Sequence, residues 1–184
     1  ANFGGSFYDY TQMPNTYPTS ESQELLYHCA VSVNMNFGID GSGSQTSRAR
    51  NALRNYFIFK NDIDEISASS YSTTQYRNIL QNELNLNRPL YVDGCDAEGC
   101  HAWNIDGYDG DYFHNNFGWG GSQNGNYLLS SLNGFNYDQG ALIGIEPQSL
   151  DNPNVVMQEY SYNEFQGDGD NVTNPGEIIE LYVT

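Results

Sequence analysis

The sequence predicts an α+β fold, with helices first and an antiparallel sheet afterwards. Three observations carry this. Up to Leu84 the apolar residues recur at helical spacing. After Pro89 they fall into short segments separated by Gly, Asp and Asn. The composition supports a packed core: 15 Tyr and 9 Phe stand among 184 residues of which only 16% are charged, which argues against disorder.

Residues 1–18 combine turn formers with aromatics and read as an extended entry segment. Ser20 is expected to open the first helix, because Ser20-x-x-Gln23 has the capping-box pattern. Leu25, Leu26, Cys29, Ala30 and Val33 form its apolar stripe, and the helix should fade near 34–37. A Gly/Ser loop follows. A second helix is expected from Ser47, with Ala49, Ala52, Leu53 and Tyr56 on one face. The third is expected from Ser72, again Ser-x-x-Gln, with Tyr76, Ile79, Leu80 and Leu84 inside. The strand candidates are 88–95, 101–108, 111–118, 126–131 and 141–147. The first two should form a hairpin around Asp96–Gly99.

A composition shift at 148–154 divides the chain into residues 1–147 and 148–184. Beyond it, 155–162 and 177–184 read as two strands of an all-β module, joined by a turn rich in Asp, Asn, Gly and Pro. Two strands do not make a stable sheet in water, so the expectation is a β-sandwich of which only the start is present. Asp168 and Asp170 fit a calcium loop, but Val172 does not, and a hairpin turn is the simpler reading. Asn171-Val172-Thr173 is formally a glycosylation sequon.

The net charge of -17, with 6 Lys plus Arg against 23 Asp plus Glu, argues against nucleic-acid binding and against docking on anionic membranes. No apolar run approaches the roughly 20 residues of a membrane span, so no membrane insertion is expected. The first ten residues have no signal-peptide pattern, and the first is not Met, so the chain is expected to be processed or part of something longer.

The titratable inventory is small: His28, His101 and His114 with Cys29, Cys95 and Cys100. No Cys-x-x-Cys or His-x-x-x-His pair supports a metal site, and no Gly-rich loop before a helix supports a nucleotide, so no cofactor is expected. His101 heads one strand candidate and Asn116 closes the next. Adjacent antiparallel strands can bring such positions together. A His oriented by an Asn amide is the base half of a Cys-His-Asn site. Cys95 and Cys100 close the hairpin and can be either a disulfide or two free thiols.

Residues 101–125 resemble the histidine region of the streptopain family of secreted, papain-like cysteine peptidases. The matching residues are His101-Ala102, Ile105-Asp106-Gly107, Tyr112-Phe113-His114, Asn116-Phe117-Gly118-Trp119-Gly120-Gly121 and Gly125. The likeness extends outward to Tyr8-Asp9-Tyr10-Thr11-Gln12-Met13-Pro14, to Met35-Asn36-Phe37-Gly38 with the Gly/Ser loop, and to the helix from Ser47. It also covers the segment 134–147, so that residues 7–147 match in order. The 148–184 segment is similar to the edge of immunoglobulin-like modules appended to such peptidases.

The resemblance implies a papain-like fold, protein or peptide substrates, an inhibitory propeptide and a secreted or cell-surface bacterial location. It makes His101 the general base, Asn116 its orienting partner and Trp119 the shield over both. Ser44 and the Cys100 backbone would touch substrate. Phe117 stands where the family has Trp, which keeps the aromatic wall and loses an indole donor. The family's nucleophilic Cys lies upstream of the segment like Tyr8–Pro14, so this chain is expected to hold the base half of the site and to be inactive alone. The order Cys29, His101, Asn116 is that of papain. However, a catalytic thiol wants a helix N-terminus or a cation beside it, and Cys29 stands well inside its helix, where a small buried hydrophobe is expected. His114 is given no role. The alternative functional reading is a non-catalytic homologue acting as a surface or inhibitor-like binding protein.

Overall fold

The computed structural model describes residues 1–14, 16–39, 41–148, 160–166 and 178–183. It divides into two units, Ala1–Gln148 and Ser149–Thr184.

In the first unit, helix α1 spans Ser20–Ser32, α2 spans Thr46–Tyr56 and α3 spans Thr73–Asn85. The cap of α1 is Thr19, one residue before the expected Ser20. Thr19 is extended, its hydroxyl accepts the Ser22 N–H, and the Ser22 hydroxyl accepts the Thr19 N–H. The cap of α3 is Ser72, with Gln75 closing the box as the sequence indicates. Replacing Ser72 by Ala is expected to cost about 0.5–2 kcal/mol, read as a lower denaturation midpoint at unchanged slope. Tyr76, Leu80 and Glu83 are the buried face of α3. Burial pushes the Tyr76 hydroxyl's pKa well above the usual tyrosine range. Glu83 is satisfied inside by the Gly144 N–H at 2.8 Å.

The strands are β1 (Asn36–Phe37), β2 (Ser42–Gly43), β3 (Asp64–Ser67), β4 (Leu90–Cys95), β5 (Cys100–Asp109), β6 (Tyr112–Asn116), β7 (Gly125–Leu128) and β8 (Tyr137–Ile143). The first two form a small hairpin. The other six form one antiparallel sheet in the order β3-β8-β4-β5-β6-β7. β3 has no counterpart among the sequence candidates. It is short and carries one buried residue, Ile66, so alternation cannot reveal it. β8 starts four residues earlier than expected. Its first half is held by backbone pairing with β4 rather than by apolar alternation.

Leu80, Leu90, Val92, Trp103, Ile105, Phe113 and Phe117 are among the buried residues of a core between α3 and the sheet. The stripe on α1 behaves differently. Only His28 of that helix is buried, while Leu26 is 68% exposed and Cys29 is exposed. The expectation of a buried Cys29 is therefore corrected: the stripe faces a cleft instead of the core.

In the second unit, β9 (Tyr160–Gln166) pairs antiparallel with β10 (Ile178–Val183). Of the strand expected at 155–162, residues 160–162 fall within β9 and 155–159 lie outside the described residues. The linker 149–159 and the turn with Asp168, Asp170 and Asn171 lie outside the described residues.

Candidate active site

The β4–β5 hairpin presents His101. Its turn is fixed by Asp96, whose carboxylate accepts the N–H groups of Glu98 at 2.7 Å and Gly99 at 2.8 Å. Those two bonds hold the Asp96 carboxyl below the usual carboxylate range. Cys95 and Cys100 face each other across the last pair of the ladder and are joined as a disulfide. Gly94 lies opposite His101, where a Cβ would come within 2.8 Å of the Phe135 carbonyl oxygen. Only glycine lets the backbone pass so close.

The His101 ring points to the same face of β5 as Trp103. Its Nε2 is 2.8 Å from the Phe117 carbonyl oxygen. A carbonyl can only accept, so Nε2 carries the proton and Nδ1 keeps the lone pair. Among the described residues Nδ1 has no partner. The ring stacks on Trp119, with centroids 4.8 Å apart, and lies 5.5 Å from the ring of Phe135. The loop that carries Trp119 turns through Gly118 and Gly120 at φ 77° and 62°, a region favouring glycine.

Among the described residues no hydrogen bond joins Asn116 to His101, the pair that the sequence leads one to expect. Asn116 pairs with Asn104 in the β5–β6 ladder, on the outward face, and its Oδ1 accepts the Gly118 N–H at 3.0 Å. That bond shapes the loop after β6. The neighbouring Asn115 is the inward residue and is fully buried. The Asn115 Oδ1 accepts the Trp103 indole N–H at 2.7 Å, and its Nδ2 donates to the Phe113 carbonyl. Sequence reasoning missed both Asn115 and the Phe117 carbonyl. A signal existed: Phe113, Asn115 and Phe117 alternate along one strand, so the two aromatics assign Asn115 to the inner face.

A cavity of about 490 Å³ opens between α1, the loop before α2 and the β4–β5 hairpin. His101, Cys100, Ser44, Thr46 and Asp93 stand on its wall. Ser44 donates its hydroxyl to the Val33 carbonyl, which fixes the loop against the end of α1. Cys29 lines the same cavity. Desolvation at its sulfur pushes the thiol above the usual cysteine range. It also sits toward the C-terminal end of α1, where the helix dipole disfavours a thiolate. Cys29 therefore lacks the features of an activated nucleophile. His28 accepts or donates a bond with the Tyr8 hydroxyl at 2.8 Å in an aromatic cluster, and His114 pairs with the exposed Asp106. Neither is among the residues that line the cavity. Among the described residues no cluster suits a metal ion, and no helix is long and apolar enough to cross a membrane.

A His with a fixed tautomer, a free Nδ1 and a stacked indole, set in a cleft, is equipped for proton transfer. Comparisons with known proteins point the same way. The profile of the Peptidase C10 family matches residues 1–127. The thiol protease/hemagglutinin PrtT of Porphyromonas gingivalis is 34% identical over 83% of this chain and 20% of its own length. Streptopain of Streptococcus pyogenes is 32% identical over 76% of this chain and 40% of its own. The chain thus spans less than half of either relative. Active interpain A cysteine protease of Prevotella intermedia superposes with a TM-score of 0.69 at 26% identity, over 77% of this chain and 65% of that one. A prointerpain A fragment from the same organism superposes with a TM-score of 0.67 at 28% identity, over 78% of this chain and 49% of that one.

Proposed function

Because this chain belongs to the Peptidase C10 family, we propose that it supplies the histidine half of the active site of a secreted bacterial cysteine endopeptidase. The observation that carries the reading is His101 on the wall of the cleft, with Nε2–H held by the Phe117 carbonyl and Nδ1 without a partner among the described residues. The nucleophilic Cys is assigned to residues outside 1–184, since Cys95 and Cys100 are joined and Cys29 has a raised pKa at the wrong end of its helix.

In the proposed reaction, His101 Nδ1 takes the proton of that thiol. The thiolate attacks the peptide carbonyl, and the imidazolium then protonates the leaving amine. His101 next deprotonates the water that hydrolyses the thioester. The Phe117 carbonyl stabilises the imidazolium through Nε2–H and takes the orienting role expected of Asn116. Trp119 covers the ring face and limits water there. Ser44 and the Cys100 backbone line the path of the substrate. An inhibitory propeptide is part of the proposal, supported by the pro-form among the similar structures.

The purified 184-residue chain is expected to show no thiol-dependent cleavage of a denatured protein substrate. The intact protein that carries it is expected to cleave, and to keep its sensitivity to thiol alkylation after Cys29→Ser. Thiol-dependent cleavage by the isolated chain would overturn the assignment of the nucleophile. Loss of alkylation-sensitive activity in the Cys29→Ser protein would do the same.

A further inference from the structure

We propose that Thr46 and Asp93 are positioning residues that set the loop 42–45 against the substrate cleft; the proposal rests on the peptidase reading above. Ser42, Gly43, Ser44 and Gln45 follow one another along the wall of the cavity that His101 also lines. A peptide cleaved at His101 runs past them, so the place of this loop decides how well its backbone is held.

The loop leads directly into α2, and α2 is held to the sheet by polar contacts. Of its 11 residues only Ala52 is buried. Thr46, Arg50 and Arg54 stand at intervals of four, on one face of the helix. The Thr46 hydroxyl donates to Asp93 Oδ2 on β4. Arg50 pairs with Glu65 on β3 at 3.5 Å, and Arg54 donates to the Ile63 carbonyl just before β3. The Nε atoms of both arginines are buried, so this stripe lies between helix and sheet.

The contact of Thr46 is the one that governs the loop. Gln45, at the cap of α2, makes no side-chain cap bond. The first turn is fixed instead from β4, by a carboxylate that also suits the positive end of the helix dipole. On its other side the loop is tied to α1, where the Ser44 hydroxyl donates to the Val33 carbonyl. Asp93 pairs with Ala102 and Gly140, on the opposite face of the sheet from His101. Its Oδ1 lies where a Cβ on Gly140 would stand 2.5 Å away. Asp93 therefore acts on the reaction through Thr46 and not through the His101 ring.

The test compares steady-state cleavage of one peptide substrate by variants of the intact protein, well below their melting temperatures. Thr46→Val removes the donor and is expected to raise KM by about tenfold, with kcat within about twofold of the parent. Thr46→Ser keeps the donor and should bring KM back close to the parent value. Asp93→Ala should raise KM as Thr46→Val does, and the double variant should raise it no further, because both changes remove one bond. Arg54→Met frees the far end of the same helix. It should lower the melting temperature and leave KM unchanged. The proposal is overturned if KM in Thr46→Val stays at the parent value, or if Thr46→Ser fails to restore it. It is equally overturned if the two single effects multiply in the double variant, or if Arg54→Met raises KM as much. Absence of any cleavage by the intact protein overturns the peptidase reading itself, and this proposal with it.

Discussion

His101→Ala in the intact protein is expected to lower kcat/KM for peptide cleavage by about 10²–10⁴-fold, the usual contribution of one positioned acid–base group. The loss should fall on kcat, because His101 acts on protons in flight and contributes little to holding the ground-state peptide. Near-ultraviolet circular dichroism should stay close to the parent, since the ring is half-buried at the cleft rather than inside the core. Asn116→Ala separates two accounts of how the ring is held. Its amide bonds the Gly118 N–H and not His101, so its loss should be only a fraction of that of His101→Ala. Equal losses would show that the amide orients the ring during catalysis, and the role given to the Phe117 carbonyl would fall. Unchanged cleavage by His101→Ala would remove the proposed function.

Phe117→Ala is expected to be the most destabilising single change near the site, by about 3–5 kcal/mol. Phe117 is 1% exposed. Its ring contacts Trp103 at 5.2 Å, Trp119 at 5.3 Å and Tyr127 at 5.7 Å between centroids. Removing it leaves a cavity where the sheet, the indole over His101 and β7 converge. Total stabilities of about 5–15 kcal/mol leave little reserve for such a loss. The melting temperature should drop by about 6–20 °C, taking about 2–4 °C per kcal/mol for a domain of this size. Trp119→Ala is the comparison: that residue is 42% exposed, so its effect on melting should be clearly smaller. If the two variants melt alike, the aromatic cluster does not support the sheet as described. The Phe117 backbone carbonyl persists in Phe117→Ala. Activity measured well below the melting temperature should therefore fall less than in His101→Ala.

Where local chemistry dominates, the chain was readable in advance. The box of Ser72 and Gln75 marks the start of α3, and the Asp96–Gly99 turn marks the β4–β5 hairpin. Both depend on contacts within a few residues. The shift of the α1 cap to Thr19 is a case of two adjacent hydroxyl residues competing for one role, decided by which of them the backbone leaves extended. β3 escaped because a four-residue edge strand with one buried side chain has no period to detect.

The candidate site shows the same division at higher stakes. The sequence by itself singled out His101, the proposed reacting group, and the residues packed into the loop after β6, because a short ordered motif carries them. It did not determine which neighbour orients the ring. Asn116 follows Asn115 in the chain, and both amides suit the task chemically. The pleat of β6 sends Asn115 inward and Asn116 outward. A bulge between Ile105 and Gly107 then sets the ladder, with Ile105 opposite Asn115 and Asn104 opposite Asn116. The acceptor that the His101 ring meets is a backbone carbonyl, a group that every residue carries and no motif can single out. Asp93 is the parallel case. Its partner Thr46 is delivered by α2 across 47 positions of chain. Such a non-local arrangement exists only once the sheet has closed.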